Sequence, residues 1–387
     1  MVLSLRMKHM KRIDLWVGNI LCGSIAIYDK IISLIFKKMG PEKINRILII
    51  KFWGFGNLLM TMPLIRAIKE KFPKAEINFL TLTNNKGILE TLPHIKGIIY
   101  FRPKKAIADF MRILLVIRKE RFDTIIDLEQ FLRLSAILTY LSGASNRIGF
   151  RKKNEVRHLL YNKPVLYNDR QHTVKTFCDL AKSIGAETEN FEPLPIEIGI
   201  KDKEAVERFL AENNIDKNSM LIGMHIGSGE NAAEVRQWPK ENFAKLADML
   251  ASRKAKIIFT GSKSEVPIIN ETISLMSNKP LNAAGNLNLP QLAYLAEKCS
   301  LFVSNDTGPV HLAAAVKTRT VSFYGPNTPF LYGPVWGDND VFYKNLPCSP
   351  CITNYNAKST KCKDPVCITG IKVQDVYNLI DRRLFNH

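Results

Sequence analysis

Residues 304–314 read Ser-Asn-Asp-Thr-Gly-Pro-Val-His-Leu-Ala-Ala, residue types and a spacing that could hold a phosphorylated ligand. The segment follows an apolar run over 299–303, which reads as a buried parallel strand, and opens into a small-residue helix predicted over 311–316. Gly308 permits a tight turn, and Pro309 suits the first helical position, where a missing N–H costs nothing. Open N–H groups at a helix start, with the positive end of the helix dipole, form a seat for phosphate. Asp306, Thr307 and His311 would line its rim with a carboxylate, a hydroxyl and an imidazole, groups suited to a nucleotide sugar. A capped helix in an ordinary α/β domain fits the same residues. The rest of the chain has to choose.

Other loops repeat the theme. After an apolar run at 47–52 comes Lys51-Phe-Trp-Gly-Phe-Gly-Asn57, which lacks the third glycine of a dinucleotide fingerprint. Gly227-Ser228-Gly229 follows the run ending at His225 and leads to Arg236-Gln237-Trp238-Pro239. Gly261-Ser262-Lys263-Ser264-Glu265 and Gly325-Pro326-Asn327-Thr328-Pro329 follow two more runs. Several such polar loops in one half of the chain argue for a ligand with phosphates and hydroxyls.

The elements that must carry these loops alternate. Strands are predicted over 47–52, 75–82, 97–101 and 124–128, with helices over 58–72, 106–120 and 132–141. A second series has strands at 220–225, 256–260, 301–304 and 320–324, with helices at 203–213, 240–252 and 289–298. Such alternation implies parallel sheets covered on both faces. Two doubly wound domains are expected, 45–195 and 196–387, after an N-terminal segment 1–44. Ligands then sit beyond the carboxyl ends of the strands, which for two facing domains means a cleft between them.

At 387 residues and 46% hydrophobic content the chain can fill two cores. Its formal charge of +19 narrows the partners to nucleic acid, an anionic membrane or acidic substrates. Neither an RNA-binding aromatic signature nor a zinc-finger pattern is visible, so no specific nucleic-acid partner is expected. Residues 1–50 carry nine Lys/Arg against three Asp/Glu. Within them an apolar stretch at 15–28, resumed at 31–36, is too short to span a bilayer, for which about 20 residues are needed. It reads either as a membrane-surface helix between cationic flanks or as a helix packed on its own domain. Nothing resembles a cleavable signal peptide, so a cytoplasmic location, peripheral on the inner membrane, is expected.

Taken together the motifs resemble glycosyltransferase family 9, the lipopolysaccharide heptosyltransferase-like enzymes. The matching stretches are RILIIKFWGFGNLLMTMPLIRAIKEKFPKAEINFLT, FDTIIDLEQFLRLSAILTYLSGASNRIGF, RQWPKENFAKLADML, AAGNLNLPQLAYLAEKCSLFVSNDTGPVHLAAA and FYGPNTP. The resemblance implies a GT-B architecture of two Rossmann-like domains and inverting, metal-independent sugar transfer. It implies ADP-heptose as nucleotide-sugar donor and a phosphorylated, lipid-linked saccharide as acceptor, with the acceptor on the first domain and the donor on the second. Asp306, Thr307, Gly308, Pro309 and His311 fall on the family's donor segment. Arg236 stands where the family has a basic residue before its Trp-Pro pair and would neutralise the leaving diphosphate. Ser228 would add a hydroxyl. Glu265 is the acid nearest the family's nucleoside-binding position, where this chain has Lys263.

Asn57 departs from the family, which has an aspartate there as the proposed general base; an amide cannot accept that proton. Three readings stay open. Asn57 orients the acceptor while Asp127 or Glu129 acts as base; the base is weakly required; or transfer has been lost. Lys51, and with less support Arg133 and Arg147, would meet an acceptor phosphate. Cys348, Cys351, Cys362 and Cys367 have a first pair with zinc-ligand spacing and a looser second pair, so structural zinc and reduced thiols are both open. No cofactor is required for catalysis on this reading. The rivals are a sugar-nucleotide epimerase, which would need more acids and histidines than His225 and His311 at these loops, and a catalytically silent binding protein.

Overall fold

The computed structural model describes residues 2–35, 44–103, 106–153, 155–229, 233–356 and 358–385. The lysines at 37 and 38, expected as a cationic flank, lie outside them. The chain divides into two compact units, Met1–Leu194 and Pro195–His387. Each is built on a parallel sheet of six strands.

In the first unit the strands are β1 (Arg46–Ile50), β2 (Glu76–Leu82), β3 (Ile95–Phe101), β4 (Thr124–Asp127), β5 (Asn146–Arg151) and β6 (Lys163–Leu166). Their order is β3-β2-β1-β4-β5-β6. β1 pairs with β2 through Ile47↔Ile77 and with β4 through Ile50↔Asp127. Ile47–Ile50 are fully buried, as a central strand covered on both faces requires. Connections leave β1 for β2 on one side and return to β4 on the other. The order therefore reverses between β1 and β4, and their exit loops part to leave a crevice.

The helix expected over 58–72 forms as two pieces, Phe55–Leu59 and Met62–Lys71. Pro63 lacks an N–H, so it is accommodated in the first turn of a new helix. β5 and β6 were not expected from the sequence. β5 (NRIGFR) is broken by polar residues and a glycine, and β6 (KPVL) carries Pro164, which an edge strand tolerates.

The N-terminal segment is one helix, α1 (Val2–Ile35), and it belongs to the first unit. No helix among the described residues is long and apolar enough to cross a membrane. α1 packs on α2 (Arg133–Leu141), the helix after β4. The N-cap of α2 is Leu132, which has no capping oxygen; Asp14 of α1 supplies the acceptor, taking the N–H groups of Arg133 (3.0 Å) and Leu134 (2.9 Å). This satisfies amides that would otherwise be orphaned at a helix start. Cys22 is buried there against Ala136, Ile137, Leu160 and Tyr161, which raises its thiol to about 11.

In the second unit β7 (Leu221–His225), β8 (Lys256–Thr260), β9 (Leu281–Asn282), β10 (Leu301–Asn305), β11 (Thr320–Tyr324) and β12 (Asn339–Tyr343) take the order β12-β11-β10-β7-β8-β9. This is the same winding as in the first sheet, with the reversal between β7 and β10. The core beneath β11 is aromatic: Trp238 stacks on Phe323 at 4.3 Å, with Phe243 edge-on to both. The small-residue helix α3 (Gly308–Ala315) starts earlier than the expected 311, with Gly308 and Pro309 opening it.

Candidate active site

The two reversal points carry the loops after β1 and β4 and after β7 and β10, and the loops after β8 and β11 flank the second. At the second, β10 ends in Asn305 and the chain turns through Asp306 and Thr307 into α3. Asn305 is fully buried; its amide donates to the Ile226 carbonyl (2.6 Å), and its side-chain oxygen accepts the Trp238 N–H (2.9 Å). One side chain thus fixes the loop after β7 and the Trp-Pro segment against the turn after β10. Thr307 takes the N-cap position of α3 without capping it; its hydroxyl lies 3.3 Å from Ser304 Oγ. His311, in the first turn of α3, is buried.

Arg236 and Asp306, far apart in sequence, meet. The guanidinium stands 3.0 Å from Asp306 Oδ2 and donates to the Asp306 carbonyl. Asn327, from the loop after β11, donates to the same carboxylate oxygen at 2.9 Å. Its own Oδ1 is buried with no partner among the described residues. Trp238, two residues after Arg236, is fully buried and donates its indole N–H to the Ile371 carbonyl (2.9 Å), which anchors the arginine-bearing segment.

Ser228 is buried in the loop after β7. Glu265 closes a capping box with Ser262, accepting its N–H at 2.8 Å, and overlies Gly227. A Cβ on Gly227 would fall 1.7 Å from Glu265 Oε1, so only glycine allows this approach. Glu265 Oε2 lies 3.8 Å from His225 Nε2. Burial pushes the His225 imidazole below its ordinary range, with Glu265 opposing.

At the first reversal point the turn after β1 carries Gly54 at φ +81°, a left-handed conformation that favours glycine. Asn57 is half-buried and makes no hydrogen bond with its side chain among the described residues. Glu129 Oε1 accepts the Phe52 N–H (2.7 Å) and pairs with Lys51 Nζ (3.1 Å), both partners being buried. Asp127 is sealed in. Its Oδ2 accepts from Arg157 (2.9 Å) and from the Tyr161 hydroxyl (2.6 Å), and its Oδ1 accepts the Glu129 N–H (3.0 Å). Arg157, fully buried, also donates to the Glu129 carbonyl. Gly149 makes room for this network, since a Cβ there would meet the Tyr161 ring at 2.3 Å.

Several expectations change. Asp127 and Glu129 are committed to holding the first loop, so neither stands as an open base. Arg133 is taken up by α1, donating to Asn19 Oδ1 (3.0 Å) and to the Phe131 carbonyl. Arg147 lies at the amino end of β5, paired with Ile125 and not with the exit loops, and it donates to the Leu160 and Ala144 carbonyls. Among the described residues, the cysteine quartet included, no group of three or more His, Cys, Asp or Glu is found that could hold a metal ion. Cys367 is a core side chain that packs against Gly325, where a Cβ would come within 2.7 Å of its sulfur. Cys348 is exposed, and Cys351 accepts from the Thr360 hydroxyl. Asn305 and Asn327 lie within the polar loops that the sequence marks out but carry no assigned role there, and Arg157, Tyr161 and Asp14 have no sequence signal; a polar side chain at the end of β10 was the clue to Asn305.

Two parallel sheets of this winding, each with glycine-bearing loops at its reversal, define a two-domain α/β protein of the nucleotide-binding type. The profile of Glycosyltransferase family 9 (heptosyltransferase) matches residues 111–361, and the chain belongs to that family and is a glycosyltransferase with the GT-B fold. The lipopolysaccharide core heptosyltransferase OpsX of Haemophilus influenzae is 24% identical over 345 residues, 85% of this chain and 94% of that protein. Among solved structures, the glycosyl transferase family 9 protein of Veillonella parvula superposes with a TM-score of 0.74 at 22% identity, over 89% of this chain and 98% of that one. The ADP-heptose LPS heptosyltransferase II of E. coli superposes at 0.69 and 20% identity, over 87% and 97%.

Proposed function

We propose that the protein transfers heptose from ADP-heptose, with inversion, to a phosphorylated, lipid-linked saccharide of the lipopolysaccharide core, on the cytoplasmic face of the inner membrane. The observation that carries this reading is the uncapped start of α3, with Arg236 held at the turn before it by Asp306. The names of the relatives support the sugar and the acceptor.

The second unit binds the donor. Amides at Gly308 and beyond, the Thr307 hydroxyl and Ser228 take the diphosphate, with the N-terminal dipole of α3 favouring its charge. Pro309 fixes the first turn without using an amide the ligand needs. Asp306, His311 and the unpartnered Asn327 oxygen address sugar hydroxyls, and Glu265 the nucleoside. The first unit binds the acceptor. Asn57 orients the attacking hydroxyl, and the Lys51–Glu129 pair holds the loop that carries it.

In the reaction the acceptor oxygen bonds to the anomeric carbon as the bond from that carbon to the diphosphate oxygen breaks. ADP departs with the bonding electrons and the configuration inverts. Arg236 meets the negative charge that develops on the diphosphate, so no metal is needed for it. With Asp127 and Glu129 engaged, the best-supported account of the proton is late transfer to solvent water from a hydroxyl made acidic by its attack on an oxocarbenium-like centre. On this account Asn57→Asp retains or raises the transfer rate, measured with ADP-heptose and a truncated core acceptor. A large loss in that variant would mean that the amide itself is required.

The test of the whole reading is a thermal-shift series followed by turnover. ADP and ADP-heptose at about 100 times their dissociation constants should add roughly 2.7 kcal/mol to stability, while pyrimidine nucleotide sugars should add little. Radiolabelled heptose should then appear on the acceptor. Stabilisation without transfer would identify a silent binding protein; no stabilisation would remove the donor assignment.

A further inference from the structure

α1 has two different apolar faces, and its packing accounts for one. Asp14, Gly18, Cys22 and Asp29 recur at helical spacing on the side that meets α2. A Cβ on Gly18 would fall 2.6 Å from Arg133 Cβ, so the two helices touch backbone to side-chain stem there. Asn19 accepts from Arg133, and Asp29 accepts from the Tyr140 hydroxyl at 2.8 Å. On the other side Trp16, Ile20, Ile27 and Ile31 are 73%, 69%, 65% and 55% exposed. At about 100° per residue these four fall within roughly 60° of one another, opposite the stripe through Gly18 and Cys22. Val17 and Tyr28 border them and are also exposed. An apolar strip of this length on the outside of a fixed helix marks an interaction surface.

We propose that this outer face lies in the headgroup region of an anionic bilayer, with α1 parallel to the membrane plane. The chemistry of the strip selects that occupant. Trp16 and Tyr28 combine an apolar body with a polar edge, as residues at a water–lipid boundary do. Lys30 is exposed beside the strip, a cation complementary to acidic headgroups. A second copy of the helix would instead bring together two segments that each carry nine Lys/Arg against three Asp/Glu. The clamp gives the contact a consequence. Asp14 caps the helix that follows the Asp127–Glu129 loop, so α1 is a rigid foot beneath the acceptor unit. This inference deepens the proposed function, resting on a lipid-linked acceptor for its purpose; the contact itself needs neither substrate.

The experiment is sedimentation of the full chain with phosphatidylglycerol-containing vesicles and with phosphatidylcholine vesicles, free of donor and acceptor. Binding should be at least tenfold stronger to the anionic vesicles. Ile20→Glu/Ile27→Glu should lower it at least tenfold with an unchanged Tm, and the blue shift of tryptophan emission on binding should vanish in Trp16→Phe. Gly18→Leu, on the inner face, should lower Tm instead. Equal sedimentation of wild type and the double variant, or no binding to anionic vesicles, would overturn the proposal. So would a lipid-free dimer that Ile20→Glu/Ile27→Glu dissociates. A parallel transfer assay on a deacylated, water-soluble acceptor separates the two readings. Activity there with no vesicle binding sinks the foot and spares the transferase; vesicle binding with no activity there does the reverse.

Discussion

Replacing Arg236 with alanine should slow transfer by about 10²- to 10³-fold, the usual cost of removing one preorganised donor from developing charge. Three features make the effect chemical and not structural. The guanidinium is paired with Asp306 and donates to its carbonyl, in the turn ahead of α3. The backbone that carries it is anchored by Trp238, which is buried on Phe323 and would stay so in the variant. Asp306 keeps Asn327 as a partner. Tm should therefore move little while kcat falls. Arg236→Lys should recover only part of the rate, because an ammonium cannot present a planar fork to the diphosphate. If the alanine variant turns over within threefold of wild type, Arg236 does not meet the leaving group.

The second large effect is on stability. Asp127→Asn leaves the Arg157 cation buried without its counter-charge, and breaking such a pair costs about 3–5 kcal/mol. For a unit of this size each kcal/mol moves Tm by roughly 2–4 °C, so calorimetry should show a fall of about 6–20 °C. Tyr161→Phe removes one hydrogen bond to the same carboxylate and should cost only about 1 kcal/mol. The pair of variants separates two roles for Asp127. A wild-type Tm with transfer abolished would make it the base after all. A large fall in Tm, with residual transfer by the folded fraction, assigns it to holding the loop that bears Glu129.

The network around Asp127 also explains how Asn57 can occupy a position where the family has an acid. Asp127 and Glu129 were natural substitutes, since they lie at the end of β4, which pairs with β1 in the same sheet. Arg157 and Tyr161 engage one of them and Lys51 the other.

Local sequence determined a good deal. Apolar runs such as RILII and LFVSN must be buried strands, glycine must stand where the chain turns left-handed at 54, and Pro309 with Gly308 must open a helix. The composition of the exit loops, rich in Gly, Ser, Thr and Asn, announced a phosphorylated ligand. These features are legible because strand periodicity, turn geometry and helix starts are settled by a handful of neighbours. Strands whose burial comes from their place in the sheet were not: β5 is interrupted by Asn, Arg and Gly, and β12 (NDVFY) is a half-buried edge.

Tertiary structure alone decided which loops share a crevice and which charges find partners. The winding of each sheet sets β1 beside β4 and β7 beside β10, and so brings Lys51 to Glu129 and Arg236 to Asp306. It sends Arg147 to the far end of its strand. Asp14 caps a helix 119 residues away, a pairing no local pattern encodes. A buried charge takes the nearest complementary group in space, and crossover connections make that group remote in sequence.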